Sequence, residues 1–123
     1  MQQVQVVFYM EYDGSVPMSD WLDGLQLKHR AKCLKWIGIL RSFGHDLRRP
    51  ESDYLRDGIH ELRVRFQSLN YRMLYFFYGN QVVVLTHGLK KEKQVPPIEI
   101  DRAVVLRKSF EADPQTHPFQ WEP

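Results

Sequence analysis

Residues 60–86, HELRVRFQSLNYRMLYFFYGNQVVVLT, decide the fold because they contain three strand-like segments in close succession. The predicted strands are residues 60–66, 71–78 and 82–86. In the first strand apolar and charged residues alternate, so Leu62 and Val64 should face one side of a sheet and the charged residues the other. The third, VVVLT, is a continuous apolar run typical of a central strand covered on both faces. Because the connections at residues 68–70 and 79–80 are short, we expect an antiparallel meander.

The segments around the meander complete a small single α+β domain with helices packed on one face of the sheet. Residues 3–10, QVQVVFYM, are rich in β-branched and aromatic residues and predict an N-terminal strand of the same sheet. A helical hairpin follows this strand, and a C-terminal helix follows the meander. The predicted helices span residues 17–25, 28–43 and 97–111.

Two further segments are expected to lack regular structure. Residues 45–57, HDLRRPESDYLRD, are polar and contain Pro50, which predicts a loop before the meander. After the domain of residues 1–111, the proline-rich residues 112–123 predict an irregular tail. Its aromatic residues could dock on the domain or on a partner.

Length and composition restrict the class of protein. With 123 residues, of which 43% are hydrophobic and 26% charged, the chain has the balance of one globular domain. It lacks a membrane-spanning apolar run and the pattern of a signal peptide, so we expect a cytoplasmic protein. The single cysteine, Cys33, excludes an internal disulfide, and the scattered histidines lack metal-ligand spacing. We therefore expect neither a metal nor another cofactor.

Basic residues are concentrated in two blocks of the chain. In residues 28–49 the only acid among many lysines and arginines is Asp46, and residues 58–93 contain only Glu61 and Glu92 as acids. Both ends of the chain are acidic. Basic blocks between acidic ends favour a surface that binds a polyanion such as nucleic acid. Solvated basic helix faces are the ordinary alternative.

Cations on neighbouring strands form the candidate site within the second block. Arg63 and Arg65 project from the charged face of one strand, and Arg72 lies near the start of the next. If the register places Arg72 opposite one of them, the facing like charges favour a bound anion such as phosphate. The lysines that could close the same surface are Lys90, Lys91 and Lys93. Alternatively, Arg63 pairs with Glu61 and the lysines form a solvated loop.

The order of motifs matches a known family. The motifs are Glu61-Leu62-Arg63, Tyr71-Arg72, the apolar strand Val82–Leu85, His87-Gly88 and the basic turn Lys90-Lys91 before a proline and a helix. In this order and spacing, over about residues 3–110, the sequence resembles the phage-type HigB toxins of the RelE/ParE superfamily. The resemblance implies a compact α+β fold with a sheet of about four strands.

The resemblance also implies a toxin that cleaves mRNA on the ribosome, without metal or cofactor. Its implied partners are the ribosome, the mRNA and a helix-turn-helix antitoxin encoded by an adjacent gene. The 2′-hydroxyl of the cut nucleotide would attack its own 3′ phosphate and leave a cyclic phosphate and a free 5′-hydroxyl. The candidate catalytic residues are Arg63, Arg72, Lys91 and, as an acid–base group, His87. The candidate RNA-binding residues are Arg65, Lys90, Lys93 and Lys35.

The chain departs from the family pattern around the basic turn. Glu92 places an acid inside it, Val95 or Pro96 replaces a hydroxyl residue, and the tyrosine of RelE has no counterpart. The general base and acid therefore stay open, and His87 at a strand end is equally suited to a structural role. Two other functions stay open as well. One is a ParE-like toxin that inhibits DNA gyrase without cutting RNA, and the other is a degenerate protein that only binds a partner or nucleic acid.

Overall fold

The computed structural model describes residues 3–91 and 93–123, and Glu92 of the basic turn lies outside them. The described residues build one six-stranded sheet packed between α-helices. The strands are β1 (Gln5–Tyr9), β2 (Ser52–Arg56), β3 (Ile59–Phe66), β4 (Leu69–Tyr78), β5 (Val82–Lys90) and β6 (Pro118–Gln120). The helices are α1 (Pro17–Asp23), α2 (Leu27–Phe43) and α3 (Pro97–Ala112), with a 3-10 helix at Gly44–Asp46.

The predicted α+β class and the antiparallel meander are confirmed. The strand order is β2-β3-β4-β5-β1-β6, and β4 pairs antiparallel with both β3 and β5. The N-terminal strand joins the same sheet, as expected, because β1 lies parallel to β5. The helical hairpin and the C-terminal helix also occupy nearly the predicted ranges.

The meander strands are longer than their apolar patterns indicate. Residues 68–70 were expected to connect the first two strands, but only Gln67 and Ser68 separate β3 from β4. Both turn residues have positive φ, 51° and 68°, as a tight hairpin of this hand requires. At the other end β5 continues to Lys90, so His87 lies within a strand. Backbone pairing thus extends beyond the residues whose side chains form the apolar pattern.

Helices cover both faces of the sheet, so the expectation of helices on one face was wrong. One core includes Met18, Leu22 and Ile37 from α1 and α2 with Leu62, Met73 and Leu85 from the sheet. The other includes Ala103, Leu106 and Phe110 from α3 with Leu74, Phe76 and Val84. The physical reason is that β1, β4 and β5 are apolar at successive positions, which requires both faces to be removed from water. The prediction that residues 82–86 form a strand covered on both faces is confirmed, since Val83 and Val84 are both 0% exposed.

The two segments expected to be irregular each contribute an edge strand. The range 45–57 contains β2, which pairs antiparallel with β3, and the tail contains β6, which pairs antiparallel with β1. The ring of Phe119 on β6 stacks on Phe8 at 6.4 Å. Short edge strands with one partner carry little apolar alternation, so their own sequences do not indicate pairing. Among the residues that the structure describes, every α-helix is too short or too polar to span a bilayer.

Candidate functional site

Arg63 and Arg72 lie directly opposite each other on β3 and β4, the register that the sequence analysis considered. The carboxylate of Glu61 lies between their guanidinium groups. Its Oε2 accepts a hydrogen bond from Arg63 Nη2 at 3.0 Å, and its Oε1 lies 2.9 Å from Arg72 Nε. Glu61 is only 4% exposed, and a buried carboxylate requires such partners. The acid therefore offsets the repulsion between two arginines that the pairing brings together.

The charges continue from this centre to the edge of the sheet. Arg63 Nη2 also contacts Asp53 Oδ2 on β2 at 3.2 Å, and Asp53 Oδ1 accepts from Arg49 Nε at 2.9 Å. The Arg49 guanidinium is the main cause that holds the pKa of Asp53 below its ordinary range. Three arginines thus alternate with two carboxylates in a continuous row. The row keeps one excess positive charge and fixes each guanidinium in place.

A cleft of about 460 Å³ opens just before the first residue of β2, beside the part of β3 that follows Leu62 and has no β2 partner. Its cationic and polar wall comes from the sheet, and its other wall comes from α2. The lining residues include Lys32, Trp36, Arg63, Arg65, Asn70 and Arg72. The structure therefore brings the predicted Arg63, Arg65 and Arg72 to one solvent-facing cleft.

A second cleft of about 460 Å³ joins the first at Asn70. Lys90, Lys91 and Lys93 line it. The β4–β5 register places Lys90 opposite Tyr71, next to Arg72, and Arg72 Nη2 donates to the Lys93 carbonyl at 3.4 Å. The three lysines of the basic turn thus border the arginine pair. The two clefts together form the cationic surface, defined by Arg63, Arg65, Arg72, Lys90, Lys91 and Lys93.

Lys35 is exposed on α2, whereas Lys32, one turn earlier, lines the cleft of the arginine pair. The sequence analysis included Lys32 only as part of a basic block and did not select it. Trp36, on the same wall, and Glu61, between the arginines, were likewise not selected as site residues. The spacing of Lys32 and Trp36 by four residues places both on one face of α2 and was the available signal.

His87 is buried beneath α3 and is 3% exposed. Its Nε2 lies 3.0 Å from Glu99 Oε1, and its Nδ1 lies 3.0 Å from the Thr86 hydroxyl. Burial is the main cause that lowers the pKa of His87, with help from the nearby Arg102. Both ring nitrogens are engaged inside the protein, which supports the structural alternative. An acid–base role for His87 stays a prediction.

Cys33 lies in the core of the domain, away from the cationic surface. It is fully buried in α2, and burial raises the pKa of its thiol to about 12. The thiol is therefore protonated at neutral pH and unsuited to act as a nucleophile. Within residues 3–91 and 93–123, no three histidine, cysteine, aspartate or glutamate side chains are grouped so that they could hold a metal ion.

One known family matches a segment of the chain that includes every residue of the cationic surface. The family described as "Phage derived protein Gp49-like (DUF891)" matches residues 20–108, from α1 into α3. The matched segment contains the row of alternating charges and the basic turn, and it leaves out β1 and β6. Among curated proteins, no relative matches the chain.

Proposed function

The chain belongs to the Gp49-like (DUF891) family of phage-derived proteins, and from this premise we propose that it is a toxin that cleaves mRNA on the ribosome. The order of sequence motifs that resembles the HigB toxins supports the proposal, and these motifs lie within the residues that the family matches. We propose that the protein acts in the cytoplasm. Its proposed partner is a helix-turn-helix antitoxin encoded beside it.

One observation carries the proposal: two arginines face each other across β3 and β4 beside an open cleft. Like charges in directly opposed positions destabilise a sheet unless an anion compensates them. Glu61 provides part of this compensation, yet the Arg63 side chain remains 35% exposed and the Arg72 side chain 13% exposed. A phosphate that enters the cleft can accept hydrogen bonds from the remaining guanidinium N–H groups.

The geometry supports phosphoryl transfer by charge stabilisation. When the 2′-hydroxyl attacks the adjacent phosphorus, negative charge develops on the non-bridging phosphate oxygens. Arg63 and Arg72 are held in place by Glu61, so they need little reorganisation as this charge appears. Lys91, on the rim, is proposed to hold the RNA backbone or assist the departing 5′ oxygen. The ribosome is proposed to align the hydroxyl and the phosphorus.

The test is brief induction of the protein alone in a bacterial host, with mRNA 5′ ends mapped before and after induction. We expect new 5′-hydroxyl ends within translated frames, and their loss when translation initiation is blocked. The Arg72→Lys variant keeps the charge but loses the planar fork, and should reduce these ends by about tenfold or more. The exposed Lys108→Gln on α3 is the control and should cleave like wild type.

Growth arrest without new 5′ ends would reject the nuclease in favour of a target such as DNA gyrase. Absence of any arrest would favour a protein that only binds.

A further inference from the structure

A third cleft, of about 430 Å³, lies at the opposite end of β3 from the cationic surface. It opens between the 3-10 helix, the segment that follows it, and the paired strands β2 and β3. Its walls carry His45, Arg48, Arg49, Ser52, Tyr54 and His60. None of these residues belongs to the site described above except Arg49, which ends its row of charges.

The cleft has a floor of aromatic rings. His45 stacks on Phe77 with centroids 3.7 Å apart and an interplanar angle of 15°, and His60 stacks on Tyr75 at 5.1 Å and 16°. Tyr54 meets His60 edge-on at 5.1 Å and is 56% exposed, although it is a large aromatic residue. Exposed planar rings next to stacked ones offer an adjoining surface to another planar group.

Cations border the aromatic floor. Burial and the nearby His45 lower the pKa of His60, so its ring is uncharged at neutral pH. At the rim, Arg49 pairs with Asp53. Arg48 is exposed, and among the residues that the structure describes no acid lies within ion-pair distance of it. An aromatic surface beside an uncompensated guanidinium matches the two parts of a nucleotide, its base and its phosphate.

We propose that this cleft binds one nucleotide of single-stranded RNA, with the base against Tyr54 and His60 and the phosphate at Arg48. The identification of the polymer as RNA rests on the proposed function. The assignment to RNA is supported by the connection between this cleft and the arginine pair, because Asp53 lines the cleft and also contacts Arg63. The row Arg49–Asp53–Arg63 thus connects this cleft to the arginine pair, and a strand bound at the pair would follow it to the cleft. The cleft would hold a nucleotide away from the scissile bond and contribute to affinity.

The test measures binding of a fluorescein-labelled ten-nucleotide oligoadenosine RNA to the purified full chain by fluorescence anisotropy, without ribosomes. Tyr54→Leu and Arg48→Gln should each raise the Kd by roughly fivefold to tenfold, through loss of stacking and of a phosphate contact. Lys108→Gln removes the same charge from α3 on the other face of the sheet and should change the Kd by less than about twofold. Unchanged Kd values in both cleft variants would overturn the proposal.

Adenosine monophosphate serves as the competitor that separates a strand from a free nucleotide. We expect it to displace the labelled RNA only weakly, because it lacks the contacts along the row of arginines. Displacement as efficient as that by unlabelled oligoadenosine would assign the cleft to a free mononucleotide and overturn its assignment to RNA.

A measurement on the wild-type protein covers the case in which a variant fails to fold. Addition of the oligoadenosine should shift the imidazole proton resonances of His45 and His60 and leave those of the buried His117 in place. Unmoved His45 and His60 resonances would overturn the proposal. Cleavage in cells that persists while these binding tests fail would reject the cleft alone, whereas binding without cleavage in cells would reject the nuclease alone.

Discussion

At the scale of single residues, the central feature is the buried carboxylate of Glu61. It lies between two guanidinium groups that would otherwise repel each other across β3 and β4. A carboxylate that loses one cationic partner in such a place retains the desolvation penalty and loses part of the compensating attraction. The arginine pair and Glu61 therefore depend on each other for stability. A substitution in this group is therefore expected to affect folding as well as catalysis, and the two effects have to be measured separately.

We predict that Arg72→Ala abolishes mRNA cleavage and also lowers the free energy of unfolding by about 3 kcal/mol, because it leaves Glu61 buried with one partner. Urea denaturation gives the stability, and mapping of 5′ ends gives the cleavage. The double variant Glu61→Gln with Arg72→Ala removes the uncompensated charge and should recover part of the stability without any cleavage. Wild-type cleavage by folded Arg72→Ala protein would disprove the proposed site.

Lys32 and Lys35 provide a matched pair on the same helix. Only Lys32 is among the residues that line the cleft of the arginine pair, while Lys35 is exposed one turn away. Loss of one phosphate contact weakens binding by a few-fold at moderate salt. Lys32→Gln should therefore reduce cleavage in cells by roughly threefold or more, and Lys35→Gln should have a smaller effect. A larger effect of Lys35→Gln would show that RNA crosses α2 by another path.

At the scale of elements, His87 and Glu99 connect β5 to the first turn of α3. The folded protein lowers the pKa of His87, and that of His60, from the ordinary value of 6.5. Below about pH 6.5 the unfolded imidazoles take up protons that the folded ones resist, so stability is lost as the pH falls through this range. Above it the contribution is fully present.

We therefore predict that the urea midpoint decreases between about pH 7 and pH 5, and that His87→Gln makes this decrease shallower. Part of the pH dependence should remain in that variant, because the pKa of His60 is also lowered in the folded protein. An equally steep decrease in His87→Gln would assign the pH dependence to other groups. Cleavage measured on the same variant tests the acid–base role: wild-type activity would leave His87 only its structural contacts.

The elements that the sequence predicted are those whose side chains are buried in a regular pattern. The alternation around Leu62 and Val64 fixed β3 and the side on which Arg63 projects. The strands β2 and β6 were missed because an edge strand is defined by backbone pairing with a distant segment, and local composition carries little of that information. The pairing of Arg63 with Glu61, which the sequence analysis gave as the alternative, is confirmed. Lys32 reaches the site because α2 packs beside β3, and its spacing from Trp36 indicates only that the two residues share a face of the helix.

Packing in the structure explains why Gly88 of the His-Gly motif has no side chain. A Cβ placed on Gly88 would lie 2.3 Å from the Trp21 ring of α1, far closer than real side chains approach. The backbone of β5 and this tryptophan thus require the absence of a side chain. The ring of Trp21 is partly buried and packs against the core that α1 and α2 form with the sheet.

At the scale of the whole molecule, the tail closes one edge of the sheet. His117 is 0% exposed, stacks on Tyr9 at 4.7 Å, and donates from Nδ1 to the Met10 carbonyl at 2.6 Å. β6 then covers the edge of β1, whose residues Val6 to Tyr9 are all buried. An uncovered apolar edge strand is a template for pairing with another chain.

We predict that a chain ending at Thr116 is less stable by roughly 2 kcal/mol, because it loses the buried His117 and the contact of Phe119 with Phe8, and that it self-associates. Urea denaturation and light scattering measure the two effects. A chain ending at Trp121 keeps β6 and serves as the control, with both properties close to those of the full chain. A monomeric truncated protein of unchanged stability would show that β1 needs no cover.

The position of β1 between β5 and β6 also determines when the sheet can be completed during synthesis. β1 emerges first from the ribosome, yet its parallel partner comprises residues 82–90 and its other partner residues 118–120. A nascent chain that ends before these residues contains β1 as an unpaired apolar segment, because neither neighbour exists yet. The complete sheet can therefore form only after the last strand has been translated. Until then, the nascent chain on the ribosome has an incomplete fold.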